Sequence, residues 1–170
     1  LQNDLAANTN KWVIAFWHHP PYTKGGHDSD TDLELTEMRQ NALPVLEAGG
    51  ADLVLTGHSH SYERSFLLDG HYEHSTNLVA ATMIRNAGDG RPDGNGAYTK
   101  PVGTPAHQGA VYVVAGSAGQ TSGGKLNHPA MYLSLNKLGS VVLDIDGPEL
   151  KATFIGDKTQ VRDYFSIVKR

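Results

Sequence analysis

Cysteine is absent from this chain of 170 residues, which excludes both disulfide bonds and metal sites built on thiolates. The absence does not fix the cellular compartment, since many exported bacterial proteins also lack cysteine. The sequence has no run of roughly 18 apolar residues, the length needed to span a bilayer. Nor does its amino terminus show the basic, apolar and small-residue regions of a signal peptide. We therefore expect no membrane partner.

An excess of positive charge is also missing. The chain has 14 lysines and arginines against 18 aspartates and glutamates, a net charge of −4 and a pI near 6.1. This balance gives no basic surface for nucleic acid, so we expect no nucleic-acid partner. Hydrophobic residues make up 39% and charged residues 19%, which is typical of a folded globular chain. A length of 170 residues suits one domain or part of a larger one.

The first half of the sequence predicts a strand–helix–strand unit. Apolar runs at residues 12–17 and 52–56 indicate buried strands, and residues 32–48 carry an apolar stripe at helical spacing. A further strand is predicted at residues 62–68. Because a βαβ unit joins parallel strands, the carboxyl ends of the first two strands should lie at one edge of a sheet.

The ends of the predicted helices are less regular. Thr31 or Asp32 could cap the helix at its amino end, and Pro44 should kink or divide it. Residues 1–7 resemble the tail of an amphipathic helix that has no N-cap. A helix without a start signal leads us to expect that the chain is cut from a longer one.

The second half of the sequence predicts hairpins. Residues 88–96 are rich in glycine and predict a surface loop, which lacks the features of a phosphate-binding or dinucleotide-binding loop. Turn residues at Asp146-Gly147 and at 156–159 separate runs that alternate in polarity. This alternation favours antiparallel strands with one wet face. The predicted strands are 109–116, 139–146, 149–156 and 160–167.

Histidines follow both strands of the predicted βαβ unit. His18 and His19 follow the first strand, and His58 and His60 follow the second within Gly57-His-Ser-His-Ser-Tyr-Glu-Arg64. With His27 they make five of the nine histidines. In extended backbone, side chains two residues apart share a face, so His58 and His60 could enter one cleft. Neutral imidazole is the commonest metal ligand, and the alternative is a solvated polar loop.

These segments resemble the calcineurin-like metallophosphoesterase superfamily, in its purple acid phosphatase-like branch. The resemblance is carried by Val13-Ile-Ala-Phe-Trp-His-His-Pro-Pro-Tyr22 and by the segment from Gly57 to Arg64. Residues 109–116 and 163–168 look like its late strands. The resemblance implies an α/β fold, half of a four-layer αββα sandwich, with a mixed sheet ending in antiparallel hairpins. Residues 1–170 would be the carboxyl-terminal part of one catalytic domain.

The resemblance also implies a metal-dependent phosphomonoester hydrolase, acid phosphatase-like, with a dinuclear metal centre and a metal-bound hydroxide. His18 and His58 would ligate the divalent metal, and His60 the more buried one. The expected cofactors are two metal ions, Fe3+ with Zn2+, Mn2+ or Fe2+. Because relatives of this branch are commonly exported, the resemblance favours an extracytoplasmic location.

Two further histidines are candidate catalytic residues. His27 lies nine residues beyond His18, where relatives carry histidines that approach the substrate, so the resemblance makes it a candidate acid or phosphate contact. His19 is expected to support the loop or contact substrate, because adjacent side chains diverge. Tyr62, Glu63 and Arg64 are expected to hold the histidine loop. The remaining histidines are expected to be surface or structural, namely His71, His74, His107 and His128.

The family segments Asp-x-Gly, Gly-Asp-x-x-Tyr and Gly-Asn-His are not found in this sequence. The expected partners are therefore a small phosphoester substrate and the missing amino-terminal half of the same domain. Two alternatives stay open. One is a phosphodiesterase or nucleotidase of the same superfamily, and the other is a catalytically inactive fragment that acts as a binding or interaction module.

Overall fold

A computed structural model describes residues 1–170, and its ten strands form two sheets. In chain order the strands are β1 (Ile14–Phe16), β2 (Leu53–Thr56), β3 (Tyr62–Leu68), β4 (Ile84–Asn86), β5 (Tyr98–Lys100), β6 (Ala110–Ala115), β7 (Met131–Leu135), β8 (Gly139–Asp146), β9 (Glu149–Gly156) and β10 (Val161–Lys169). The first sheet has the order β1-β2-β6-β3-β4, with β7 also paired to β3. The second has the order β5-β10-β9-β8.

The helices are short and few. They are α1 (Gln2–Ala6), α2 (Leu33–Glu37), a π-helical turn (Met38–Ala42), α3 (Leu43–Ala48), a 3-10 turn (Ser75–Asn77) and α4 (Ala80–Met83). The predicted helix at 32–48 is therefore present, and Pro44 lies just after the π-helical turn that divides it. Proline has no N–H to donate and its ring crowds the carbonyl four residues earlier, which a wider turn relieves. No helix has both the length and the apolar character that a bilayer crossing requires.

The predicted βαβ unit is confirmed. Strands β1 and β2 pair in parallel, with Ile14 opposite Leu53 and Phe16 opposite Leu55. Strand β6 adds to β2 in parallel, whereas β3 runs antiparallel to β6, so the sheet is mixed. The carboxyl ends of β1 and β2 consequently lie side by side at one edge of the first sheet.

The predicted hairpins are confirmed as well. Strands β8, β9 and β10 form antiparallel pairs, and the β8–β9 turn contains Gly147 in a left-handed conformation (φ 52°). In β9, buried residues such as Ala152 and Phe154 alternate with more exposed ones. The sequence did not predict strands β4, β5 and β7. Two of them have only three residues, too few to show an alternating pattern.

Two apolar layers hold the fold together. One lies between the two sheets and contains Leu53, Tyr62, Val113, Phe154 and Phe165 among others. The other lies between the first sheet and the helices and includes residues from α3, β2 and β6, namely Leu43, Leu46, Val54 and Tyr112. The predicted α/β class with mixed sheets is therefore confirmed, with strands predominating.

A buried ion pair links the two sheets. Arg64 of β3 donates to both carboxylate oxygens of Asp163 on β10, from Nε to Oδ2 at 2.6 Å and from Nη2 to Oδ1 at 3.0 Å. Tyr62 and Arg91 also donate to Asp163. Burial by itself raises the pKa of Asp163, but the charge and hydrogen bonds of Arg64, together with the hydrogen bonds from Tyr62 and Arg91, lower that pKa below its ordinary value. Tyr62 and Arg64 thus fix β3, the strand that follows the histidine loop.

Asp163→Asn should strongly destabilise the protein, because it leaves the buried Arg64 guanidinium without an anion. We expect a loss of about 3–5 kcal/mol in the free energy of unfolding, measured by urea denaturation. The control is Asp144→Asn on the exposed face of β8, which should change stability by less than about 0.5 kcal/mol. Equal effects of the two substitutions would contradict the importance of the pair.

Two histidines lie in the interior around Tyr22. The His71 ring stacks on the Tyr22 ring with centroids 5.4 Å apart, and the His128 ring lies 5.5 Å from it. Neither nitrogen of His71 has a hydrogen-bond partner within the protein, and nor does Nε2 of His128. Burial, aided by the nearby Arg39 guanidinium, lowers the pKa of His71 to about 4. Burial also lowers the pKa of His128 to about 3.

His71→Phe should make the protein less sensitive to acid. Between the ordinary histidine pKa of 6.5 and the folded value of about 4, the unfolded chain binds the extra proton. His71 therefore costs up to about 1.4 kcal/mol of stability for each pH unit lowered through that window. Phenylalanine keeps the stacking on Tyr22 and removes the titration, so the fall in urea midpoint from about pH 7 to about pH 5 should shrink. An unchanged fall would contradict this reading. The exposed His74→Asn variant serves as the control.

Candidate metal centre

The two histidine loops are held side by side where β1 and β2 end. The pairing continues beyond the strands, because the Trp17 N–H donates to the Leu55 carbonyl at 3.1 Å and the Gly57 N–H donates to the His18 carbonyl at 3.0 Å. As a result, Nε2 of His18 lies 3.0 Å from Nδ1 of His58. The structure thus brings together two of the three predicted metal ligands, from residues 40 positions apart in the sequence.

His19 completes a cluster of three imidazoles. Each of His18, His19 and His58 has a ring nitrogen within 4.8 Å of those of the other two. The ring centroids are 4.7 to 5.0 Å apart in all three pairs. The sequence assigned His19 to substrate or loop contacts because adjacent side chains diverge in a strand. The backbone bends at His18 and His19 instead, directly after β1, and this bend lets both rings face His58.

His27 lies against the same cluster. Its ring centroid is 3.9 Å from that of His58, and its Nδ1 lies 2.9 Å from a carboxylate oxygen of Asp32. Asp32 occupies the N-cap position of α2, yet its side chain makes no capping hydrogen bond. Asp32, one of the two predicted caps, is therefore the N-cap residue, but its carboxylate contacts His27 and not the helix backbone. A carboxylate of this kind fixes the orientation of an imidazole ring.

His60 is not part of the three-imidazole cluster. The expectation of an extended backbone at residues 58–60 is wrong. The Ser59 N–H donates to the Gly57 carbonyl at 2.7 Å, and the Ser61 N–H donates to the Ser59 carbonyl at 2.8 Å. These are two successive γ-turns, and the alternation of an extended strand does not apply to them. The assignment of His60 to a metal stays a prediction.

The backbone at His58 is strained. Its φ angle is +60°, a left-handed conformation that costs a non-glycine residue roughly 1–2 kcal/mol. Gly116 makes room for the turn, because a Cβ there would lie 2.1 Å from the Ser59 carbonyl oxygen. Strain held by the surrounding structure is typical of functional sites.

A buried carboxylate joins the two loops. Glu63 accepts hydrogen bonds from the hydroxyls of Thr23 in the first loop and Ser61 in the second. The Thr23 hydroxyl also lies 2.9 Å from the Ser59 hydroxyl, and the Ser134 hydroxyl donates to Glu63 at 3.3 Å. Thr23, Ser59, Ser61 and Glu63 are all fully buried. Glu63 therefore holds the histidine loop, as the sequence predicted.

The imidazoles of the cluster suit a metal ion chemically. Burial, followed by the neighbouring rings of His27, His19 and His18, lowers the pKa of His58. His58 is consequently neutral near pH 7, and neutral imidazole is the form that binds a metal. Imidazole nitrogen suits zinc, copper, iron and nickel. No carboxylate belongs to this cluster.

A second group of possible ligands was missed by the sequence. Glu47, Asp69 and His107 also have ligand atoms within 4.8 Å of one another. Glu47 already accepts hydrogen bonds from the hydroxyls of Tyr72 and Tyr112, and Asp69 pairs with Arg85 and His107. The contacts within the protein account for this group. No sequence motif joins its three members, which are 22 and 38 residues apart along the chain.

The other histidines and acids lie outside the cluster of imidazoles. His71 and His128 are buried beside Tyr22, while the side chains of His74 and His107 are about half exposed. Asp52 is buried between the ammonium groups of Lys100 and Lys169. Asp89 accepts backbone hydrogen bonds from Arg91 and Asn95 inside the glycine-rich loop.

Comparisons with known proteins agree with the resemblance to the metallophosphoesterases. Residues 1–62 match the family model of the calcineurin-like phosphoesterases. A stretch of 55 residues is 40% identical to purple acid phosphatase 18 of Arabidopsis thaliana and makes up 32% of this chain and 12% of that protein.

Two solved structures share the fold over 99% of this chain. One is the purple acid phosphatase PPD1 from seeds of yellow lupin (Lupinus luteus), with a TM-score of 0.68, 17% identity and 27% of its own chain covered. The other is GAP50, described as the anchor in the inner membrane complex of Plasmodium, with a TM-score of 0.59, 15% identity and 42% of its chain covered. At these identities the likeness concerns the fold alone.

The chain thus spans only part of the relatives that it matches. The matched sequence and the shared fold together confirm the resemblance of this chain to the calcineurin-like metallophosphoesterases of the purple acid phosphatase-like branch.

Proposed function

We propose that residues 1–170 are the carboxyl-terminal part of the catalytic domain of a metal-dependent phosphomonoester hydrolase. The observation that carries this proposal is the contact between His18 and His58, two imidazoles delivered to one point by neighbouring parallel strands. Ligand sites of α/β proteins collect at such strand ends. The substrate would be a small phosphoester, and no nucleic-acid partner is proposed because the net charge is −4.

The proposed metals are Fe3+ with Zn2+, Mn2+ or Fe2+, with His18 and His58 on the divalent ion and His60 on the second. When bound, such a pair clamps phosphate oxygens and supplies an activated water as nucleophile. The imidazole cluster has no carboxylate among its members. The remaining ligands would therefore come from the amino-terminal half of the domain.

The residues around the cluster would orient the substrate and move a proton. Nδ1 of His27 faces Asp32, so a hydrogen bond there leaves Nε2 free for the substrate. In this proposal His27 donates a proton from Nε2 to the leaving alkoxide, and the Asp32 carboxylate fixes the orientation of the imidazole ring. In the proposed dinuclear site, His19 would contact the substrate or support the loop that carries His18. An extracytoplasmic location is proposed by family analogy alone.

His58→Ala should abolish metal-dependent phosphatase activity in the longest polypeptide that contains this chain. The rate of p-nitrophenyl phosphate hydrolysis should fall by at least about 100-fold, because loss of a metal ligand should cost at least as much as loss of a residue that supports one. His74→Asn is the matched control, because His74 lies outside the cluster and asparagine can replace it as the N-cap of the 3-10 turn. Wild-type rates in the His58→Ala variant would refute the metal assignment.

An apolar groove beside β1 offers a surface that the rest of the domain could cover. Strand β1 is an edge strand, and a groove of about 310 Å³ beside it is lined only by hydrophobic residues of α1, β1, the π-helical turn and α3. Phe16 on β1 is 81% exposed. In a parallel pair alternate residues direct their backbone groups outward, so Ile14 and Phe16 present free N–H and C=O groups. We propose that the amino-terminal half pairs with this edge.

The isolated chain should therefore self-associate through β1, because an exposed apolar edge strand recruits another strand. Phe16→Lys should shift sedimentation velocity profiles of the isolated chain toward monomer. Val161→Lys changes another exposed hydrophobic residue, on β10, and should leave association unchanged. Equal effects of the two variants would contradict the proposed pairing at the β1 edge. An unsubstituted chain that is already monomeric would contradict it too.

A second candidate function is a non-catalytic binding or interaction module. The observation that favours it is the lack of a carboxylate in the imidazole cluster. Under that function neither half of the domain, alone or combined, would hydrolyse the chromogenic monoester. A phosphodiesterase or nucleotidase would instead prefer a diester or a nucleotide in the same assay.

A further inference from the structure

An arginine occupies a core position in the helical segment formed by α2, the π-helical turn and α3. Leu35, Arg39 and Leu43 follow one another at i, i+4 spacing, and all three are buried, with Arg39 only 2% exposed. Residues at this spacing share one face of a helix. Because a fully buried arginine is rare unless its charge and donors are satisfied, Arg39 must have specific partners inside the protein.

The partners of Arg39 are backbone carbonyls. Its Nη1 donates to the Ser29 carbonyl at 2.6 Å and to the Pro21 carbonyl at 3.1 Å. Its Nε donates to the Tyr72 carbonyl at 3.2 Å. One nitrogen therefore joins two points of the chain on either side of His27. The planar guanidinium offers these donors in a fixed arrangement, which the single ammonium group of a lysine does not reproduce.

Residues 23–29, which we call the His27 loop, are closed at their base. The Ser29 N–H donates to the Thr23 carbonyl at 3.1 Å, and the Thr23 N–H donates to the Ser29 hydroxyl at 3.1 Å. Gly25 packs so closely on the second histidine loop that a Cβ there would lie 2.4 Å from the Ser59 hydroxyl. The position of His27 is therefore set by the base of a short loop and by its neighbour.

We propose that Arg39 is the residue that positions His27 for proton donation to the leaving group. Arg39 binds the Ser29 carbonyl at the base of the His27 loop and the Pro21 carbonyl just before it. The π-helical turn that contains Arg39 is a rare distortion that occurs frequently at functional sites. Arg39 is buried and acts through His27, not on the substrate. This inference rests on the proposed function, in which His27 is the acid.

Two phosphate monoesters separate this positioning role from a general structural one. p-Nitrophenolate is a stable anion that leaves without a proton, whereas the alkoxide of glycerol 2-phosphate needs an acid. The protein to test is the longest polypeptide that contains this chain. There, Arg39→Lys should lower kcat/KM for glycerol 2-phosphate at least about 10-fold more than kcat/KM for p-nitrophenyl phosphate, because a small displacement of a catalytic group is costly. Equal losses for the two substrates would overturn the proposal.

The matched control is the same substitution at another buried arginine. Arg64 is fully buried and binds Asp163 between the two sheets, so Arg64→Lys reports the effect of general destabilisation. It should lower the rates for both substrates by the same factor. If Arg64→Lys changes the ratio of the two rates as much as Arg39→Lys does, the proposal fails.

A double substitution tests whether Arg39 acts through His27. In a His27→Asn background, Arg39→Lys should lower glycerol 2-phosphate hydrolysis by less than about twofold further, because no imidazole is left to position. Residues that act through one another are not additive. Fully additive losses would assign Arg39 a separate role and overturn the proposal.

Backbone hydrogen exchange tests the same contact without an activity assay. In the Arg39→Lys variant, amides of residues 23–29 should exchange at least about 10-fold faster than in the unsubstituted protein, while those of β9 keep their rates. Unchanged exchange in the His27 loop would overturn the proposal. Faster exchange there in a protein that hydrolyses neither monoester would refute the phosphatase and leave the contact of Arg39 with the loop supported.

Discussion

The buried carboxylate of Glu63 is the contact on which the site depends. It belongs to β3, a central strand, and accepts hydrogen bonds from hydroxyls of both histidine loops. Burying a carboxylate away from water costs free energy unless its oxygens accept hydrogen bonds. The hydroxyls that donate to Glu63 are therefore held in place next to the strand. The loops that carry His18 and His58 are thereby joined to the sheet and to each other. Rigid elements with ordered loops position side chains better than free loops do.

The rest of the fold holds in place the strands and loops that form the Glu63 contact. Parallel pairing of β1 and β2 places two loop starts together, and the Arg64–Asp163 pair anchors β3 to the second sheet. The strained γ-turn at His58 persists because the surrounding contacts outweigh its cost. The open β1 edge is the opposite kind of feature. Its exposed Phe16 and outward-facing backbone groups form a surface on which another strand can pair.

Periodicity in the sequence predicted the longer elements well. Strands β3, β8 and β9 have the predicted bounds, because each has seven or eight residues with a clear pattern and turn residues at its ends. Strands β4 and β5 could not be predicted, since three residues cannot show alternation and their pairing comes from distant strands. Asp32 has the residue type and position of a cap, yet contacts His27. At Asp32, the contact with a distant side chain replaces the local hydrogen bond to the helix backbone.

The sequence by itself determined the βαβ unit, the antiparallel strands β8 to β10, the mixed α/β class and the two histidine groups after β1 and β2. These follow from local patterns: apolar runs, turn residues and the right-handed βαβ connection. Only the tertiary structure decided which imidazoles meet. His60 shares the motif with His58, but γ-turns replace the extended backbone on which the shared face depended. His19 joins His18 and His58 because the chain bends directly after β1. Ring directions at strand ends depend on such turns and on contacts between loops, which a linear pattern does not encode.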